Sequence, residues 1–298
     1  MRNAVSLVRG AVRCRRWLIP LCFRFAAIVL APGVSVAQAE ERVTFASLDK
    51  TASGETVQLI GQWFPAPRAP GPAVLMLHGC GGLNNATGQL SARMRGYAGW
   101  LNEQGFHALV LDSLTPRGER ELCTQRLGTR RVTMANRRLD ALAGVAWLAQ
   151  RPDVVPGRIG LLGWSNGGSS VLAATNLKHP AVRDAAVKPA FAVAFYPGCE
   201  AELKRGYDAG AALLLLVGQA DDWTPAEPCQ RLAARASGRA VAIETYIDAF
   251  HGFDSNAPVR LRRDVPNGVH PGQGVHVGGN PVALQRSREA VQRFLATQ

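Results

Sequence analysis

The chain predicts an α/β fold: a mostly parallel central sheet of about eight strands with helices on both faces. Two observations carry that prediction. Short apolar runs such as Leu213–Val217 have no polar face, as strands covered by helices on both sides require. Between them lie stretches of helical length, spaced as successive strand-helix units need. Val43–Leu48 and Thr56–Trp63 read as leading strands. Buried strands then follow at Ala73–Leu77, Phe106–Leu111, Ile159–Trp164, Phe191–Tyr196, Ala212–Gly218 and Val241–Ile247. Helices are expected at Gln89–Glu103, Thr133–Gln150, Gly167–Leu177, Cys229–Ala236 and Val282–Ala296.

Of the 298 residues, 47% are apolar and 19% charged, an ordinary globular balance that allows one large core. No internal repeat or long linker divides the chain, so one domain spanning residues 40–298 is expected. The first 39 residues differ from the rest. Arg2, Arg9, Arg13, Arg15 and Arg16 precede an apolar stretch from Trp17 to Val36, broken by Arg24, and Ala37-Gln38-Ala39 offers a small-residue cleavage site. Residues 1–39 therefore read as a signal peptide, with Arg15-Arg16 weakly like a twin-arginine signal. The competing reading is an uncleaved anchor, but the stretch uninterrupted by charge, Phe25–Val36, is shorter than the roughly 20 residues a span needs. After cleavage no membrane span is expected, and the mature protein would be periplasmic or secreted. Removing the six arginines of that segment leaves 28 basic residues against 22 acidic ones, so half of the formal charge of +12 belongs to targeting. The basic balance is no footprint of a nucleic-acid partner.

The chemistry is concentrated at strand ends. Gly163-Trp164-Ser165-Asn166-Gly167 joins a buried strand to a helix, the pattern of a nucleophile elbow that presents a serine at the tip of a tight turn. A serine hydroxyl needs a base to take its proton, and the base needs a group to orient it. The loop after Ala212–Gly218 supplies two carboxylates, Asp221 and Asp222, and the loop after Val241–Ile247 supplies His251. Serine, acid and histidine thus occur in the order such folds use. The turn His78-Gly79-Cys80-Gly81-Gly82, after the strand Ala73–Leu77, is glycine-rich enough to bring backbone N–H groups close to a carbonyl oxygen. The amides of Cys80 and Asn166 are expected to form that oxyanion hole, with Gly79 as the alternative to Cys80.

These residues resemble the dienelactone hydrolase family of the α/β-hydrolases, over roughly residues 55–255. Gly218, Asp221 and Pro225 look like the family's acid segment and His251-Gly252-Phe253 like its base segment. The resemblance implies Asp221 rather than Asp222 as the acid. The enzymes that name the family use a cysteine nucleophile with a glutamate just before the oxyanion turn. Here Ser165 and His78-Gly79 stand in those places, so the family's lactone is not carried over as substrate.

Four cysteines follow the signal segment, and they allow three pairings. The strand order implied by the resemblance narrows them, because it sets the third strand beside the fourth and the sixth beside the seventh. Cys80 is then expected to pair with Cys123, and Cys199 with Cys229. No cysteine or histidine spacing suggests a metal site, and the chemistry calls for no cofactor.

Three features bear on substrate. Arg117 lies in a loop rich in arginine and is a candidate for holding a carboxylate, against the alternative of pairing with acids such as Glu119 and Glu121. Trp164 and Trp223 flank the nucleophile and the acid, where each could line a pocket or simply pack. Gly268–Asn280, carrying His270 and His276, reads as a loop near the site. The expected function is an exported serine hydrolase that opens small-molecule esters or lactones through an acyl-enzyme on Ser165, Asp221 and His251. A peptidase or amidase, and a ligand-binding scaffold without turnover, are the alternatives. Nothing in the chain sets an oligomeric state.

Overall fold

The computed structural model describes residues 40–51 and 53–298; the expected signal peptide, with Cys14 and Cys22, lies outside the described residues. The strands are β1 (Glu41–Lys50), β2 (Thr56–Phe64) and β3 (Gly71–Leu77), then β4 (His107–Asp112) after helix α1 (Ala92–Glu103). Next come α2 (Met134–Ala149), β5 (Val154–Trp164), α3 (Asn166–Thr175), the short α4 (Pro180–Arg183), β6 (Phe191–Phe195) and α5 (Glu200–Arg205). The two-residue strand β7 (Asp208–Ala209), β8 (Ala212–Gly218), α6 (Ala226–Arg235), β9 (Ser237–Gly238) and β10 (Val241–Tyr246) follow. A small ribbon, β11 (Arg260–Arg262) with β12 (Val275–Val277), precedes α7 (Pro281–Leu295).

Eight strands form one sheet in the order β1-β2-β4-β3-β5-β6-β8-β10. Pairing is antiparallel at β1–β2 and β2–β4 and parallel from β4 to β10. The period-2 alternation of strand side chains splits the core into two layers. Leu75, Leu77, Leu161, Leu213 and Leu215 point into one layer with Val145 and Leu148 of α2, Val171 and Leu172 of α3 and Leu232 of α6. Val74, Met76, Leu162, Leu214 and Leu216 point into the other with Tyr97 and Leu101 of α1 and Val291 and Leu295 of α7. Every residue of β4 and β6 is buried, so neither strand shows the polar-apolar alternation of a strand with one wet face.

The helices differ from expectation mainly at their starts. α1 begins at Ala92 rather than Gln89, because Leu90 bridges back to Asn84 and the Ser91 side chain caps the helix by accepting the Met94 N–H. α6 begins at Ala226 and contains Pro228 in its first turn, a position where proline sacrifices no intrahelical hydrogen bond. Among the described residues no helix is long and apolar enough to cross a membrane.

Candidate active site

Ser165 sits between the end of β5 and the start of α3 at φ 54° and ψ −118°, a backbone strain characteristic of functional turns. The turn closes only because its neighbours lack a β-carbon. One added at Gly163 would lie 2.3 Å from the Gly167 carbonyl oxygen, and one at Gly167 would lie 1.9 Å from that of Leu77. The Ser165 amide donates to Phe195 O at 2.9 Å, which fixes the elbow to β6.

The loop after β10 brings His251 to the serine. Nε2 lies 2.8 Å from Ser165 Oγ and Nδ1 lies 2.8 Å from Asp221 Oδ2. Asp221 is itself held by the loop after β8: its Oδ1 accepts the amides of Trp223 (2.9 Å) and Thr224 (2.8 Å), and its Oδ2 accepts the Thr224 hydroxyl (3.0 Å). All three are bonds that a carboxylate accepts, so they fix both oxygens while His251 uses one. Trp223 and Tyr196 cover the imidazole, with ring centroids 4.6 and 4.7 Å away.

Asp222 has a different task. It accepts the His276 amide at 2.8 Å and sits 2.7 Å from His276 Nδ1, tying β12 to the loop that carries Asp221. The loop read at 268–280 thereby roofs the site, with Val277 bridging to His251. His270 is exposed, and no cluster of metal-ligating groups exists among the described residues.

The turn after β3 lies against the elbow. His78 is fully buried; its Nδ1–H donates to Gly79 O (2.7 Å) and its Nε2 accepts the Ser113 amide (3.4 Å). Burial and the Arg137 guanidinium lower its pKa to about 4, so it is a neutral clip. Within the turn, only the Gly82 amide is spent on a backbone acceptor, Gly79 O at 3.3 Å. Neither the Cys80 nor the Asn166 amide meets an acceptor among the described residues, and both residues line a cavity that reaches Ser165.

Several residues that position this site are not apparent from the sequence. Arg137 of α2 is 1% exposed and donates to His78 O (2.7 Å) and to the Asn166 side chain, joining the turn to the elbow. Burial lowers its pKa to about 10, opposed by Asp140 and Asp112. Asp254, three residues past His251, accepts the hydroxyls of Tyr196 (2.6 Å) and Tyr97 (3.0 Å) and the Trp164 indole N–H (3.0 Å), and pairs with Arg93 (3.1 Å). Burial pushes both tyrosines well above their usual pKa, so they remain donors. Thr224, whose hydroxyl also lies 3.0 Å from His251 Nδ1, completes the acid side.

The arginine-rich loop corrects one expectation: Arg117 is bound within the protein and faces away from the cleft at Ser165. Its guanidinium is bidentate on Asp140 (2.8 Å to each oxygen) and reaches Asp49 at 2.7 Å, clamping the loop to α2 and to the end of β1. It lines neither cavity at Ser165. Glu119 does pair within the arginine-rich segment, with Arg131. Trp164 and Trp223 do reach the site. Trp164 stacks on Phe195 and forms part of the cleft floor, so it both packs and lines. Trp223 lines two cavities that meet at Ser165: a cleft of about 630 Å³ walled by His251 and Arg93, and a second of about 560 Å³ walled by Met134 and Pro228. Cys80 pairs with Cys123 and Cys199 with Cys229.

A mostly parallel sheet of eight strands, with a strained serine turn after β5 and an acid and a histidine after later strands, defines an α/β-hydrolase. The sequence matches the dienelactone hydrolase family over residues 61–297, and the chain belongs to that family. Solved structures agree on the fold. A dienelactone hydrolase-like promiscuous phosphotriesterase from metagenomic libraries aligns at TM-score 0.60 and 16% identity, over 87% of this chain and 99% of that one. A putative dienelactone hydrolase from Klebsiella pneumoniae aligns at TM-score 0.60 and 16% identity, over 88% and 100%. Thermogutta terrifontis esterase 2, phosphorylated by paraoxon, aligns at TM-score 0.59 and 16% identity, over 85% and 94%. A comparison with curated protein sequences finds no match.

Proposed function

We propose that this protein is an exported serine hydrolase that cleaves carboxylic ester or lactone bonds through an acyl-enzyme on Ser165. One observation carries the proposal: Ser165 Oγ, His251 Nε2, His251 Nδ1 and Asp221 Oδ2 form a continuous chain of 2.8 Å contacts beside a turn with unspent amides. His251 takes the Ser165 proton as Oγ attacks the carbonyl carbon, and Asp221 holds the imidazole in the tautomer that leaves Nε2 free to accept. The oxyanion rests on the Cys80 and Asn166 amides, beside the positive end of α3. His251 returns the proton to the leaving alcohol, and water, activated in the same way, releases the acid.

Ester rather than amide chemistry is the reading the relatives favour, since an esterase and a phosphotriesterase share the fold. Export is supported by the charged and apolar first 39 residues and by two disulfides, which persist in oxidising compartments. The mature protein is then residues 40–298, periplasmic or secreted.

The test is labelling of that mature chain with a fluorophosphonate, beside Ser165→Ala, followed by a series of p-nitrophenyl esters. Labelling and ester turnover that both vanish in the variant are expected. A folded wild type that neither labels nor turns over any ester would leave the ligand-binding scaffold as the better account.

A further inference from the structure

We infer that the Cys80–Cys123 disulfide is part of the oxyanion apparatus, and that the hydrolase reaches full turnover only while this bond is oxidised. The inference rests on the proposed function and names a control on the same site. Cys80 carries one of the two amides assigned to the oxyanion, and the turn around it belongs to neither of the two core layers. It sits instead in a small cluster of buried residues, Cys80, Leu114, Leu122, Cys123 and Val132. The disulfide closes a separation of 43 residues and is the only covalent tie between the turn and the loop that backs it.

The remaining ties are unevenly placed. Arg137 holds the carbonyl of His78, on the β3 side of the turn. Cys80 itself is held by one hydrogen bond, from the Leu122 amide to its carbonyl at 2.7 Å, and Leu122 is the neighbour of Cys123. Gly82 lies on the same loop: it has φ +82°, and a β-carbon there would meet Arg120 O at 2.3 Å. Opening the disulfide therefore leaves β3 and His78 in place and frees the segment that aims the Cys80 amide. Cys80 and Cys123 both line the cleft at Ser165, where a small dithiol can reach them; of the other pair, Cys199 lines the second cavity and Cys229 lines neither.

The chemistry is thiol–disulfide exchange. A dithiol gives two electrons and two protons to the bond, the S–S bond breaks to two cysteine thiols, and the dithiol becomes its own cyclic disulfide. Cys123 is on this account a positioning residue, acting through Cys80 with no contact to the reacting atoms. Misplacing one oxyanion donor lowers kcat and leaves ground-state binding nearly alone.

The experiment compares the mature wild type, Cys123→Ser and Cys229→Ser in p-nitrophenyl ester turnover, with circular dichroism and Tm on each. Expected for Cys123→Ser is a kcat lower by about 10- to 100-fold, KM within about threefold and a retained fold. Cys229→Ser should show a lowered Tm with kcat within about threefold of wild type. If Cys123→Ser does not fold, titrating folded wild type with dithiothreitol, while alkylation and peptide mass follow each pair, gives the same answer. Activity should fall with the Cys80–Cys123 population and return on reoxidation. A folded protein with this pair reduced and kcat within threefold of the oxidised form would overturn the inference. Inactivity of the fully oxidised wild type would instead count against the proposed function.

Discussion

The two sides of the serine are braced by different chemistry. On the side proposed to hold the oxyanion, a backbone turn is held by a disulfide and by a buried guanidinium, Arg137, that touches both the turn and the elbow. On the base side, the loop after β10 is held by a buried carboxylate, Asp254, that gathers donors from four residues, and by rings packed edge-on and tilted against His251. The difference follows from what each side must do. Amides that receive a developing charge must not move, and a covalent bond and buried hydrogen bonds at fixed points serve that end. A base that rotates between serine and leaving group needs its tautomer fixed more than its exact position, which one carboxylate and aromatic walls supply.

The comparison can be broken most sharply at the acid. Asp221→Asn should lower kcat by on the order of 10³- to 10⁴-fold, since the amide no longer selects the tautomer that leaves Nε2 free to accept. Steady-state turnover on any ester the wild type accepts is the measurement. The second largest effect is expected at Arg137→Met, which leaves the buried His78 carbonyl and the Asn166 side chain without their shared donor. A buried acceptor left unpaired costs about 1–3 kcal/mol, which urea unfolding would register, and kcat should fall beyond what Asp254→Asn produces at equal stability. If the two variants lose kcat equally, the distinction between the sides does not hold.

Acid should weaken the oxyanion side first. The folded pKa of His78, about 4, lies below the ordinary histidine value, so the folded state binds fewer protons than the unfolded one. Its contribution is fully present above about pH 6.5 and is lost as pH falls toward 4, up to roughly 3 kcal/mol for this buried group. His179, also lowered by burial, adds a slope of the same sign. His78→Gln should therefore flatten the acid limb of the stability curve only in part, as measured by unfolding at pH 4 to 7. The smallest effect belongs to Asp222→Asn. Its pair with His276 is partly exposed and worth less than about 1 kcal/mol, so Tm and kcat should barely change.

Local patterns in the sequence led to most of this site. The strand order follows only from the family resemblance, whereas the elbow, the turn after β3 and the loop after β8 declare themselves through glycine spacing, apolar runs and turn residues, all read within a few residues of one another. The braces do not. Arg137 reaches His78 across 59 positions and Tyr97 reaches Asp254 across 157, so neither partnership leaves a trace in local spacing. Arg117 shows the converse: a surface-like cluster of arginines suggested an anion site, but Asp49 and Asp140 arrive from β1 and α2 to occupy it. The choice between Asp221 and Asp222 was open on composition alone. The fold separates them by aiming one inward at His251 and the other outward at the roof.

That separation leaves the loop after β8 without slack. Asp221 and Asp222 are consecutive, so one peptide unit links the orientation of His251 to the anchorage of the strand above it, and Trp223, next in line, lies over the same imidazole. Inserting or deleting a single residue here would move both aspartates out of register at once. The length of this loop is therefore closely fixed by what its two aspartates hold.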